Sequence, residues 1–251
     1  MPLSDLEQSR MARPGFGLNA LCVSSGMMEE SPGYGAWIAK TVSTHLRGNV
    51  LEVGCGFGHY SMEYAKLSRV TTLTAVDIEP KAIAFAVAHA THPKIQFLCA
   101  NALQLSAKNF DSLVCANVIE HVPDDVEFTQ SLLSTLRPGG TAAFLVPAHE
   151  WLYTQYDVEA GHFRRYSARR LRTLVEKTGY IIDSVHYFNA IGALGWWYAF
   201  KARQTRVVTE ATSRGLIRVF DRYCLPFGRI LEFCLRPPFG LSVIALCRRP
   251  L

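Results

Sequence analysis

The stretch Asn49–Ser61, NVLEVGCGFGHYS, decides the reading of this chain. Val50, Leu51 and Val53 make a short apolar run with Glu52 inside it. Three glycines follow at every second position: Gly54, Gly56 and Gly58. A buried strand that breaks into a glycine-rich turn and opens a helix is the mark of a nucleotide-type site. Glycine turns the backbone with φ > 0 and admits a ligand where a Cβ would otherwise stand. The next helix, from His59 to Leu67, would aim its N-terminal N–H groups at that ligand.

Dinucleotide enzymes favour G-x-G-x-x-G, whereas this loop reads G-x-G-x-G with an acid two places before the first glycine. It resembles the first motif, hhExGxGxG, of the class I S-adenosylmethionine (SAM) dependent methyltransferases. That resemblance implies a SAM site built on Glu52, Gly54, Cys55, Gly56, Phe57, Gly58 and Tyr60. A tight strand-to-helix turn with no ligand is the other reading.

Downstream segments extend the match. Val70–Asp77, VTTLTAVD, is a β-branched strand that ends in an acid. A carboxylate there can accept both ribose hydroxyls, because its two oxygens match a vicinal diol. Ile78 would then lie against the adenine. A helix over Pro80–Ala90 has proline in its first turn, an allowed position. A third strand, Ile95–Ala100, runs into Asn101, Ala102 and Leu103. Many family members carry an acid at the place of Asn101; asparagine still accepts through its carbonyl oxygen.

The fourth strand, Phe110–Asn117, runs into Val118-Ile119-Glu120-His121-Val122-Pro123-Asp124, which resembles the family's NxxEHxxD segment. The resemblance implies that Asn117 and Val118 reach the methionine part of SAM through backbone groups. Asp124 or Asp125 caps a helix expected to run to Leu136. The LRPGG turn at 136–140 before a fifth strand, Thr141–Val146, is also shared. The match covers roughly residues 35–147.

Tyr34–Leu46 reads as a helix from the return of Trp37, Ile38, Thr41, Val42 and His45. In methyltransferases such a helix closes over SAM, which makes Tyr34 and Trp37 candidates to touch cofactor or substrate; packing on the core is the alternative. The stretch Pro147–Tyr166 gathers aromatic and donor side chains in a loop-like segment, and such loops carry specificity. Tyr153, Tyr156, Arg164, Arg165 and Tyr166 are its candidate substrate contacts. An ordered loop in which Asp157 pairs with Arg164 or Arg165 is the structural alternative. Its D…GHxRRYS pattern resembles a bacterial type 11/12-like subgroup of these methyltransferases. His121, His149 and His162 are the candidate general bases, since an imidazole of near-neutral pKa suits proton removal. Glu120 and His121 can instead brace their loop.

Ser167 caps a helix over Ala168–Thr178 that Gly179 ends. Tyr180–Phe188 and Gly240–Arg248 complete seven strands. The fold class expected is α/β: a doubly wound, seven-stranded, mostly parallel sheet with a helical basic insertion before the last strand. By family resemblance that strand is antiparallel and lies between the fifth and sixth. The expected division is an irregular arm over 1–33, a SAM-binding α/β domain over 34–188, a helical basic lid over 189–237, and the last strand over 238–251.

Composition bounds the rest. The 251 residues are 49% hydrophobic, enough for a sizeable core and against disorder. The seven cysteines make no CxxC pair and the histidines do not fall at zinc spacing, so no metal is expected. MPLSDLEQSR lacks an apolar signal core, which reads as cytoplasmic. The net charge is +5, and residues 187–240 alone hold eight Lys/Arg against three Asp/Glu, so the whole surplus lies there. The apolar run Ala190–Phe200 is too short to span a bilayer. Arg214, Arg218 and Arg222 recur at helical spacing opposite Leu216, Ile217, Val219, Phe220, Tyr223 and Cys224. Such a basic amphipathic stretch suggests contact with an anionic membrane surface through 190–236 and a peripheral place at the inner membrane face. A lid over the core or a dimer partner is its alternative. No nucleic-acid motif accompanies the charge.

The sequence therefore points to a methyltransferase that uses SAM on a small-molecule, glycan or lipid-linked acceptor, by O-methylation. Its rivals are an NAD-dependent oxidoreductase and a non-catalytic membrane-associated protein on the same fold.

Overall fold

A computed structural model describes residues 32–105, 109–198, 220–235 and 237–251. Seven strands make one sheet: β1 (Gly48–Val53), β2 (Val70–Asp77), β3 (Ile95–Cys99), β4 (Phe110–Ala116), β5 (Leu136–Pro147), β6 (Ile181–Phe188) and β7 (Ser242–Arg248). Their order is β3-β2-β1-β4-β5-β7-β6. β3 to β5 pair in parallel, while β7 runs antiparallel between β5 and β6, as expected. The chain winds outward from β1 to β3, then crosses back to β4. The ends of β1 and β4 therefore flank the point where the winding reverses, which is where open α/β sheets bind ligands.

The central strands read as apolar runs because helices cover both sheet faces. Successive side chains alternate between the two layers. Leu113 and Phe144 pack with Leu132, Leu171 and Leu174 on one face. Val114 and Leu145 pack with Trp37, Ile38, Leu46 and Tyr64 on the other. The helices are α1 (Pro32–Val42), α2 (His59–Ala65), α3 (Pro80–His89), α4 (Asp125–Leu133), α5 (Gln155–Ala160), α6 (Ala168–Lys177), α7 (Ala190–Trp196) and α8 (Leu225–Leu235).

Two expectations are corrected. The helix expected to reach Leu136 ends at Leu133 with Ser134 as its cap, because Leu136 already pairs with Phe110 in the sheet. The RPGG turn lies inside β5 rather than before it. The register jumps from Phe110↔Leu136 to Ser112↔Thr141, Gly139 takes φ 70, and Arg137 ion-pairs with Asp111 at 2.6 Å.

The described helix before the last strand, α8, packs on α1. Leu225 is buried in that core layer, and Arg229 donates to the Gly33 carbonyl at 2.6 Å. Glu232 accepts from the Ala190 amide at 2.9 Å, which joins α8 to α7. Among the described residues, no helix is long and apolar enough to cross a membrane. The arm over 1–31 and the basic positions Lys201, Arg203, Arg206, Arg214 and Arg218 lie outside the described residues.

Candidate active site

The glycine loop leaves β1 at the winding reversal. Gly54 has φ 76, and a Cβ there would collide with Val118 Cγ2, just beyond β4. Only a glycine lets the two strand ends close up in this way. The loop is then tied to β2: the Gly56 amide donates to Asp77 Oδ2 at 2.8 Å, and the Glu79 amide donates to Oδ1 at 2.9 Å. Each carboxylate oxygen keeps a further lone pair. Beside it Ile78 is 69% exposed, an apolar side chain left in solvent next to the carboxylate.

Glu52 lies beneath the loop, buried, and accepts from Ser61 Oγ at 2.5 Å. Burial pushes its carboxyl up to about 8; the Ser61 bond opposes this and the Asp77 charge adds to it. Burial likewise raises the thiol of Cys55 and the phenol of Tyr60, so both stay protonated. Phe57 packs edge-on to Phe85 at 5.0 Å. Asn101 Oδ1 caps the turn Ala102–Gln104 by accepting from the Leu103 amide at 3.0 Å, so that oxygen is already half engaged. Ala102 is buried and can offer only backbone, whereas Leu103 is exposed. Asn117 takes φ 55 and donates its amide to the Leu145 carbonyl at 2.8 Å.

A cavity of about 480 Å³ is lined by Val87, Ala90, His92, Ile95 and Phe97. Its lining is mostly apolar and gathers no acid–base pair.

The substrate candidates divide. Tyr34 and Phe188 approach at 5.9 Å, and Trp37 packs on Phe188 at 4.4 Å and is buried; Trp37 belongs to the core. Arg165 is also buried. Its fork reaches Asp157 at 2.8 and 3.1 Å, and its plane covers Trp196 at 4.9 Å. Tyr166 is buried and donates to Asp125 Oδ2 at 2.9 Å. Arg164 pairs with the same Asp125 at 2.9 Å. These three hold the loop together through their protein partners. Tyr153 donates to the His162 carbonyl at 2.6 Å, and Tyr156 meets Trp196 edge-on at 5.2 Å.

The loop is more regular than its composition suggests. It contains a three-residue turn and α5, whose start is a capping box between Thr154 and Asp157. That T-x-x-D spacing was a legible signal. The fold then brings together residues far apart in the chain. Glu120, His121 and His162 offer ligand atoms within 4.8 Å of one another, and the two imidazoles meet edge-on at 4.6 Å. The expectation of no metal cluster rested on chain spacing, which cannot see this convergence. Glu120 is fully buried, and burial pushes its carboxyl up to about 7, against the pull of His162 and Arg165. Burial also keeps His121 neutral. Burial alone would raise the Asp157 carboxyl, but the His162 bond and the Arg165 guanidinium outweigh it and hold it below the ordinary carboxylate range.

His149 stands apart from this group. Its backbone takes φ 62, an uncommon state for a residue with a Cβ. Its ring stacks on Tyr187 at 4.6 Å. Burial first, and the Arg165 charge second, lower its pKa and favour the neutral imidazole.

Residues 50–140 match the family described as Methyltransferase domain. The fold is that of the class I SAM-dependent methyltransferases, as solved relatives show. Phosphoethanolamine N-methyltransferase 2 from Haemonchus contortus, in complex with S-adenosyl-L-methionine, superposes with a TM-score of 0.57 at 14% identity. The match covers 82% of this chain and 49% of that one. N-methyltransferase NodS from Bradyrhizobium japonicum WM9, with S-adenosyl-L-homocysteine (SAH), gives 0.50 at 17% identity over 84% and 82% of the two chains. In sequence, the ubiquinone biosynthesis O-methyltransferase of Xanthomonas campestris pv. campestris (strain B100) is 34% identical over 97 residues, which is 37% of this chain and 40% of that protein. The chain thus spans less than half the length of the curated relatives it matches.

Proposed function

We propose that the protein transfers the methyl group of SAM to a hydroxyl of a small-molecule, glycan or lipid-linked acceptor. The observation that carries this reading is Asp77: its carboxylate is fastened to the glycine loop through Gly56, beside the exposed Ile78. This pair offers acceptors for a ribose diol and an apolar surface for an adenine. The bare backbone around Gly54, where any Cβ would strike Val118, fits a ligand that needs close approach.

SAM supplies a methyl group made electrophilic by its sulfonium. The protein's part is placement: orientation of reactants contributes about 7–11 kcal/mol in favourable cases. A hydroxyl acceptor must also lose a proton, and His149 is the base we assign. It is neutral, it follows the C-terminal end of β5, and it is outside the Glu120–His121–His162 group. A general base contributes about 10²–10⁴-fold.

The O-methyl assignment draws on the curated Xanthomonas relative, named for ubiquinone biosynthesis. A lipid-linked acceptor, and an anionic membrane surface as partner, draw on α8. Phe227, Ile230 and Leu235 are exposed along it, and Tyr223 just before it, within the segment that carries the whole charge surplus. Apolar side chains with basic neighbours suit an interfacial ligand.

The test is calorimetric titration with SAH and, in parallel, with NADH. Binding of SAH alone followed by SAM-dependent methylation in a screen of hydroxylated lipids, phenols and glycans is expected. Binding of NADH alone would replace this reading with the oxidoreductase.

A further inference from the structure

We propose that Glu120, His121 and His162 bind a divalent transition-metal ion of the zinc class and thereby clamp the loop after β4 to the turn after α5. The three residues present one carboxylate and two imidazoles, the nitrogen and oxygen donor set that zinc takes. Ligands about 2.0 Å from a tetrahedral ion stand about 3.3 Å apart. Small side-chain adjustments from the present separations, all within 4.8 Å, close the set on an ion and leave a fourth position for water or another ligand.

Two further observations point to a cation. Glu120 is fully buried, and among the described residues neither of its carboxylate oxygens has a hydrogen-bond partner. A buried carboxyl without partners is costly unless a cation or a proton is supplied. The second observation is the support around His162. Its Nδ1 donates to Asp157 Oδ1 at 2.7 Å, and an ionised carboxylate can only accept. That bond fixes the tautomer and leaves the Nε2 lone pair for an ion. Asp157 is in turn held by the two-point Arg165 contact. A carboxylate behind a histidine is the usual support of a metal-binding imidazole.

The backbone holds the two halves in place. The Phe163 amide donates to the Glu120 carbonyl at 2.7 Å, and Gly161, with φ 80, turns the chain back after α5. The His162 side chain retains 12% exposure, so an ion has a route in. The clamp is independent of the methyl-transfer reading, since neither SAM nor an acceptor enters it.

The full-length chain, freed of metal by chelator dialysis, is titrated with Co²⁺ and with Zn²⁺. The expected result is one equivalent bound, with the visible ligand-field band of a low-symmetry Co²⁺ site that Zn²⁺ displaces, and a rise in thermal midpoint on adding Zn²⁺. Glu120→Gln and His162→Ala should each weaken binding at least tenfold, and Asp157→Asn about 10–100-fold through the support of His162. Far-UV circular dichroism checks that each variant is folded; the wild-type titration decides the matter even where one is not. Absence of the Co²⁺ band and of Zn²⁺ binding in the wild type overturns the proposal and leaves a proton on Glu120 as the answer. A thiolate charge-transfer band, or undiminished binding in Glu120→Gln and His162→Ala, overturns it as well by placing the ion on other residues.

Discussion

Asp77 accepts the amide of Gly56 at 2.8 Å, so the acid that ends the second strand also holds the glycine loop of the first. The Glu79 amide takes the other oxygen at 2.9 Å. Asp77 thus shapes the loop and, in the proposed reading, offers its remaining lone pairs to the ribose.

Asp77→Ala removes both roles. A hydrogen bond to a charged group contributes about 1.5–3 kcal/mol, so SAH affinity should fall about tenfold to a hundredfold by calorimetry. Asp77→Asn should fall less, because it keeps an acceptor for one amide. Unchanged affinity in Asp77→Ala would remove the ribose assignment.

Gly54→Ala meets two obstacles, the left-handed φ of 76 and the Val118 methyl. A strained backbone state costs about 1–3 kcal/mol. We expect a clear loss in urea stability together with weakened SAH binding. Adding Val118→Ala should recover part of the loss, since it removes the collision but leaves the φ. No recovery would show that the backbone alone sets the cost.

Glu52 makes stability depend on pH. Its folded pKa is raised from 4.5 to about 8, with burial the largest cause, while the unfolded chain releases that proton near the ordinary value. The native state therefore binds the extra proton between those limits. The Glu52 contribution is fully present below about pH 4.5. It declines as pH rises towards 8, by at most about 1.4 kcal/mol per unit. Urea unfolding of the ligand-free protein from pH 5 to 9 should show this decline, and Glu52→Gln should flatten it. Its neighbours Asp77, Cys55, Tyr60 and Tyr64 are unaltered in that comparison. An equal slope in wild type and variant would refute the assignment.

Arg165→Met leaves Asp157 buried with His162 and Thr154 but without its guanidinium. Breaking one side of a buried ion pair costs about 3–5 kcal/mol, so the thermal midpoint should drop by many degrees. The double variant Asp157→Leu, Arg165→Met should be less damaged than the single one. If both single and double variants melt like wild type, the pair has no structural weight.

His149→Ala should reduce kcat on a hydroxyl acceptor by about 10²-fold or more while SAH affinity stays unchanged, because a base acts on the acceptor and not on the cofactor. Equal losses in both would mark His149 as scaffold.

The sequence by itself determined the fold and the local geometry of the glycine loop. Gly54, Gly56, Gly58 and Asp77 are legible because their work is local: a turn next to a strand, and a carboxylate at a strand end. Seven apolar runs at their observed spacings leave few ways to wind a sheet. The inserted last strand came through resemblance rather than from any local signal.

Tertiary structure alone decided what the other polar residues do. Arg164, Arg165 and Tyr166 look like substrate contacts in a linear reading, but folding spends them on Asp125 and Asp157. Glu120, His121 and His162 look unrelated to a metal, because ligand spacing along a chain reports only sites built on one local segment. Here the loop after a central strand and the turn after a short helix meet. The physical reason is common to both cases: a buried polar group must find its partner in space, and chain distance does not say where that partner lies.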